Sequence, residues 1–168
     1  LSMANRVTVL PFWDINLSVD YQWNKLNANL TDFPYPRRNT TLVAAATSLH
    51  FDRFKFQASV LGTFVHENVA SDTTSAGNKM EFTPTAIASY KPFKNIDFNL
   101  RAFYKRIFRM PTLNDLYYTF IGNIKLKPEY TNQYNIGFTY QKLFTGTWLQ
   151  ALNVQLDAYY NEVENKII

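Results

Sequence analysis

With 168 residues, the chain is long enough for one domain with a sizeable core, and its lack of cysteine excludes a disulfide framework and a Cys-based metal site. The net charge of +4 comes from scattered Lys and Arg, which argues against nucleic acid as a partner. No apolar run approaches the roughly 18 residues of a spanning helix, an exclusion that leaves a membrane β-barrel open, because only every second residue of a barrel strand need be apolar.

The start, LSMANRVTVL, has neither a basic leader nor a long apolar core and does not read as a signal peptide. Residues 6–10 read as a possible partial strand. Seven full strands follow, each with a period of two. In 15–23, Ile15, Leu17, Val19, Tyr21 and Trp23 alternate without a break with Asn16, Ser18, Asp20 and Gln22. Residues 40–51 are weaker, with small residues on both faces. Residues 54–64 set Phe54, Phe56, Ala58, Val60, Gly62 and Phe64 against Lys55, Gln57, Ser59 and Thr63. Phe82, Ala86, Ala88 and Tyr90 share a face in 81–90. In 96–106, Ile96, Phe98, Leu100, Ala102 and Tyr104 oppose Asp97, Asn99, Arg101 and Lys105. Tyr134, Ile136, Phe138 and Tyr140 oppose Gln133, Asn135 and Thr139 in 133–140. Finally, in 152–160, Leu152, Val154, Leu156, Ala158 and Tyr160 oppose Asn153, Gln155 and Asp157. No long amphipathic helix intervenes.

The connections alternate in length. Residues 24–39, 66–80 and 107–132 are long; Asp52-Arg53 and 91–95 are short, and 141–148 is intermediate. That rhythm is expected of an outer-membrane barrel, with long loops outside the cell and short turns in the periplasm. The aromatics agree. On the apolar faces Tyr21, Trp23, Phe64, Tyr104, Tyr134 and Tyr160 fall at the long-loop ends, and Trp13, Phe51, Phe54, Tyr90, Phe93, Tyr140 and Trp148 at the short-turn ends. Leu17, Val60, Leu100, Ile136 and Leu156 lie between. Two girdles of rings around an aliphatic band suit a wall that faces lipid. A soluble β-sandwich also alternates, but it has no reason to gather rings at both ends of its strands. The expected fold is therefore all-β, an antiparallel up-and-down transmembrane barrel whose polar face lines a lumen. Seven or eight strands either close on themselves or form part of a larger barrel, since open edges are not tolerated in hydrocarbon. The closing NEVENKII reads as a chain about to enter another element, which favours the partial barrel, with residues 1–168 a fragment of a single barrel domain.

One stretch breaks the alternation: FRMPTLNDLYYTFIGNIKLKPEY, residues 108–130. Pro111 removes a donor and ends a strand. Thr112 can cap a short helical turn with Asp115 as its capping-box partner, which would put Leu113, Leu116 and Tyr117 on one face. Gly122-Asn123 signals a turn, and Pro128 fixes the approach to the next strand. Glu129 has Lys127, Arg106 or Arg109 as possible partners. The run Phe108, Arg109, Pro111, Thr112, Asp115, Leu116 and Tyr117, then Gly122-Asn123, then Leu126, Lys127, Pro128 and Glu129, resembles a pattern of TonB-dependent outer-membrane receptors. There a strand ends in F-R-x-P-T-x-x-E/D-L-Y and G-N-x-x-L-K-P-E leads into the next. The flanks TPTAIASYKPFKN and NQYNIGFTYQ are similar too; Ile124 stands where the family commonly has proline.

The resemblance implies a barrel of about 22 strands filled by an N-terminal plug domain. Such a receptor imports a scarce bulky nutrient (an iron-siderophore, haem, cobalamin or a glycan) with energy passed through TonB. The plug and the TonB-contacting segment would lie outside this chain, which would be a middle portion of the barrel in the bacterial outer membrane. Its partners would be outer-membrane lipid, its own plug, TonB and the small-molecule nutrient, with no nucleic acid and no cofactor. The motif residues either build a folded loop at the barrel mouth or touch ligand. Arg37 and Arg38 in the first long loop, lumenal Arg101 and Lys105, and Arg109 could attract an anion. Tyr117, Tyr118 and Phe120 could stack on a ring or sugar, or pack the loop's own core. His50 and His66 fall at opposite ends of the strands, so no nucleophile–base pair and no metal set suggests itself, and an enzyme is not expected. A passive porin or small structural barrel is the alternative reading.

Overall fold

The computed structural model describes residues 1–29, 33–70, 75–118, 122–145, 148 and 150–167. They form strands β1 (Ser2–Leu10), β2 (Trp13–Lys25), β3 (Arg37–His50), β4 (Phe54–Asn68), β5 (Lys79–Tyr90) and β6 (Asp97–Arg109), then a short helix α1 (Leu113–Tyr117), then β7 (Glu129–Leu143) and β8 (Ala151–Glu164). Every strand pairs antiparallel with the next, in one sheet of order β1-β2-β3-β4-β5-β6-β7-β8. Among the described residues β1 and β8 do not pair with each other, so the sheet is an up-and-down barrel wall that does not close.

The expected seven or eight strands are eight, and the possible partial strand at 6–10 is a full one. β1 is a full strand of nine residues, in register with β2 from Ser2↔Asp20 to Thr8↔Asp14 and shifted between Thr8 and Leu10. Asn5 on its apolar face and that irregularity hide its period. The other strands also run further than their alternation, chiefly toward the long connections. Arg37 and Arg38 open β3 rather than lying in a loop, His66 belongs to β4, and the break after β6 spans residues 110–128 only. The physical reason is length. β2 to β8 have 12 to 15 residues each. At about 3.3 Å per residue that is about 40–50 Å, well beyond the hydrocarbon thickness, and the projecting ends need no apolar face.

Constant register within each pair from β2 to β8 fixes which side chains share a face. The sheet is inside out by the standard of a soluble protein. Its apolar side chains are the exposed ones: Leu17 is 55%, Ile136 64% and Leu156 62% exposed. A contiguous apolar surface of this extent is stable only against something equally apolar. At its long-loop end Tyr104, Tyr134 and Tyr160 stack side by side, with centroids 5.0 and 6.2 Å apart. At the short-turn end the Trp13 indole donates to Thr47 Oγ1 at 2.8 Å. Below the tyrosines Ala86, Ala88, Ala102 and Ala158 floor a shallow apolar groove walled by Phe56 and those rings.

The polar faces share the other side, where Asn16, Asp20, Lys55, Gln57, Asn99, Lys105, Gln133 and Asn153 fall together by register. Short connections at 11–12, 51–53, 91–96 and 144–150 gather at one end of the strands, and long ones at 26–36, 69–78 and 110–128 at the other. The β5–β6 ladder stops at Thr85↔Lys105, one residue short of Pro84, which has no N–H to donate.

Candidate functional site

The apolar core of the described residues lies outside the sheet, where the three long connections meet. Leu113, Leu116 and Tyr117 of α1 are buried there, with Leu26, Val69, Ala76 and Leu126 packed against them. α1 forms for local reasons. Thr112 has extended backbone, its hydroxyl accepts the Asp115 N–H at 3.2 Å, and the Asp115 carboxylate accepts the Thr112 N–H at 2.8 Å. These bonds satisfy two of the helix's orphan donors and hold the Asp115 carboxyl below its ordinary range. The chain then doubles back. Gly122 N–H donates to Tyr118 O at 2.7 Å and Asn123 N–H to Asp115 O at 2.8 Å. A side chain at Gly122 would press on the Tyr118 backbone at 2.6 Å, so only glycine fits this approach.

The folded loop is fastened to the sheet by a buried network. Arg38 and Glu67 face each other across β3 and β4. Arg38 Nε and Nη2 donate to Glu67 Oε2 at 2.8 and 2.6 Å, and Nη1 donates to the Pro111 carbonyl at 2.6 Å. Tyr117 donates its hydroxyl to Glu67 Oε1 and accepts the Ala76 N–H at 3.0 Å. Burial, with the Glu67 hydrogen bond second, pushes the Tyr117 hydroxyl above its ordinary range, so it keeps the proton it donates. Asn78 Oδ1 accepts the Glu67 N–H at 3.2 Å. Glu67 thus ties β3, β4 and α1 together through its carboxylate and the 69–78 loop through its backbone N–H.

The expected site residues fall into two groups. Arg38, Tyr117 and Arg101 are engaged within the protein. Arg101 Nη2 lies 3.2 Å from Asp157 Oδ1, reaching over β7 at Gly137, and Gln155 Nε2 holds the other Asp157 oxygen at 2.7 Å. Arg37, Lys105 and Arg109 are exposed, as is Tyr118 at 54%. Phe120 lies outside the described residues. Of the motif residues, Pro111, Leu116 and Pro128 are buried, Phe108 stacks on Tyr130 with centroids 5.5 Å apart, and Lys127 is exposed. Glu129 accepts the Ile167 N–H at 2.9 Å rather than pairing with a cation. A half-polar cleft of about 340 Å³ opens beside α1, lined by Asn24, Lys25, Thr112 and Asn114.

A loop that folds on its own core and is fastened to the polar side of a barrel wall agrees with the motif of residues 108–130. The family model described as TonB dependent receptor-like, beta-barrel matches residues 4–168. The chain belongs to this family. Comparison with curated proteins gives no match. Members of this receptor family are outer-membrane transporters rather than enzymes, and among the described residues no group of three His, Cys, Asp or Glu could hold a metal ion. In this TonB-dependent receptor barrel the residues sequence reasoning missed are Glu67 and Asn78. Alternation carried on from Val60 places Glu67 on the polar face, but nothing local announces partners 29 and 50 residues away.

Proposed function

We propose that the chain is the middle portion of the barrel of an active receptor that imports a scarce bulky nutrient (an iron-siderophore, haem, cobalamin or a glycan) across the bacterial outer membrane. Residues 1–168 are one stretch of a single barrel domain whose plug lies elsewhere in the polypeptide, and TonB supplies the energy. The observation that carries the reading is the buried fastening of the 110–128 loop by Arg38, Glu67 and Tyr117. A passive pore needs only a constriction, whereas a receptor must hold a shaped outer surface against a large cargo. The exposed Arg37, Lys105, Arg109 and Tyr118, with the cleft beside Thr112 and Asn114, are the groups offered to that cargo.

Two experiments test this. The complete reading frame should encode a signal peptide, a plug-sized domain before this segment and further strands after it. Uptake of each nutrient class should then be compared in cells with and without the gene and with and without TonB. Uptake lost in both deletions supports the receptor. A short frame that closes into a plugless barrel, with TonB-independent permeation, would establish the porin alternative.

A further inference from the structure

The apolar groove on the outer side of the wall encloses about 520 Å³, floored by Ala86, Ala88 and Ala102 and walled by Phe56, Tyr104 and Tyr134. Register sets Ala86 opposite Tyr104, and Ala88 between Phe56 and Ala102, so small side chains lie between taller rings. Its volume falls in the range of ligand pockets. Within hydrocarbon such a trench is filled by something apolar, because an empty one forfeits packing contacts. The trench also has a polar head. Arg106 stands on the same face two residues beyond Tyr104, about 7 Å farther toward the long loops. The tyrosine girdle marks the membrane interface, so Arg106 lies at the height of lipid headgroups. Its guanidinium lies over the Tyr130 ring, 5.1 Å from the centroid. Among the described residues Arg106 Nε is the one buried side-chain nitrogen or oxygen without a hydrogen-bond partner, and no ion pair engages the guanidinium. The β5–β6 ladder stops at Thr85↔Lys105, so no backbone pairs with Arg106 on that side. Glu81 on β5 accepts the Tyr130 hydroxyl instead of meeting Arg106. The side chain thus carries an unneutralised charge and an unpaired donor, a combination that suits a phosphate. Asn132 and then Glu162 continue its row on β7 and β8, and Glu162 is exposed and outside any ion pair among the described residues. The rim above the trench therefore offers a cation and, about 10 Å along the row, an anion.

We propose that the groove and Arg106 form a seat for one membrane lipid. An acyl chain lies in the trench, the headgroup phosphate pairs with Arg106, and an amine of the same headgroup turns toward Glu162. The two charges along the rim favour a zwitterionic phosphate-and-amine headgroup over a purely anionic one, which Glu162 would repel. Shape favours a chain over a second copy of the protein: barrel walls are convex outward, so another wall would rest on the rings and leave the trench empty. The inference goes beyond the nutrient reading and needs only the lipid-facing wall, so the uptake experiments above can fail while it stands.

The full-length gene product, folded in a nonionic detergent, should be mixed with phosphatidylethanolamine, phosphatidylglycerol or diacylglycerol of identical chains, and the lipids it retains counted by native mass spectrometry. It should keep one phosphatidylethanolamine per barrel, phosphatidylglycerol more weakly, and no diacylglycerol. Loss of one charge-assisted contact in Arg106→Gln should lower retention about tenfold. Glu162→Gln should remove the preference over phosphatidylglycerol. Ala102→Phe, which fills the trench, should exclude the chain, whereas Ala45→Phe, on the same face but away from the groove, should not. The gel-mobility shift between folded and heat-denatured forms verifies that each variant is folded. Retention unchanged in Arg106→Gln or in Ala102→Phe overturns the proposal, as does diacylglycerol held as well as phosphatidylethanolamine. A barrel that is dimeric until Ala102→Phe separates it would give the trench to a second copy and overturn the proposal too.

Discussion

Arg38, Glu67 and Tyr117 show how much one buried carboxylate can be made to do. Glu67 is 3% exposed, and its two oxygens are shared between a guanidinium and a phenol. Removing one partner of such a pair is worse than removing both, because the remaining charge stays buried without compensation. Arg38→Met should destabilise the loop anchorage by about 3–5 kcal/mol, and Arg38→Met with Glu67→Leu by clearly less. Limited proteolysis within residues 110–128, read as the cleavage rate of the folded barrel, checks the order; a double variant cleaved faster than the single would contradict it. Gly137 carries a second prediction. A Cβ there would run into the Asp157 carboxylate and approach the Leu156 carbonyl to 2.7 Å, so Gly137→Ala displaces Asp157 from Arg101. The partly exposed pair is worth at most about 1 kcal/mol, but the Leu156 carbonyl is backbone and cannot swing aside, so Gly137→Ala should cost more thermal stability than Asp157→Asn does, and the two combined little more than Gly137→Ala alone.

At the scale of elements, α1 is legible from sequence because its determinants are local. Thr112 and Asp115 cap it within three residues, and Leu113, Leu116 and Tyr117 share its buried face as their spacing predicts. Thr112→Ala should weaken it by about 1 kcal/mol. The pH dependence has a definite sign. Asp115 is held below its ordinary pKa in the folded loop, so the unfolded segment binds its proton first as pH falls. The stabilisation is present above about pH 4, the unfolded value for Asp, and is lost as pH drops through the lower folded value. Amide hydrogen exchange over residues 112–118, corrected for intrinsic rates, should show protection fading in acid, and Asp115→Asn should flatten that profile. The strands were legible where both faces are constrained, as in β2, and less so in β1, where Asn5 interrupts the apolar face, and at the ends beyond the girdles. The anchorage was not legible. Arg38 looked like a loop cation because nothing near it reveals that Glu67 lies opposite, and Glu67 drew no notice because Tyr117 reaches it from 50 residues away. Contacts of that range are set by register and loop path, which no local pattern encodes.

For the whole molecule the governing fact is that an extended apolar face is left exposed opposite a polar one, which makes the two faces respond oppositely to charge. Leu17, Val60 and Ile136 lie in the aliphatic band between the aromatic girdles, where hydrocarbon would surround them. Arginine at any of the three should cost about 2–4 kcal/mol of folding in a bilayer, with the largest loss nearest the midplane. Substitution of Gln57, Asn99 or Gln133 by arginine should cost less, because a guanidinium on the polar face keeps its hydration, with only screened repulsion from lysines such as Lys105 opposite Gln133. The full-length protein folded into lipid vesicles, followed by the gel-mobility shift between folded and heat-denatured forms over a urea series, separates the two sets. Salt adds an independent check. Screening would relieve a penalty that came from repulsion between surface charges, whereas the cost of placing a guanidinium in hydrocarbon is one of desolvation and should persist at 1 M salt, where the Debye length is about 3 Å. If arginine at Ile136 were tolerated as well as arginine at Gln133, the apolar face would not be lipid-facing and the sheet would need another protein surface to cover it.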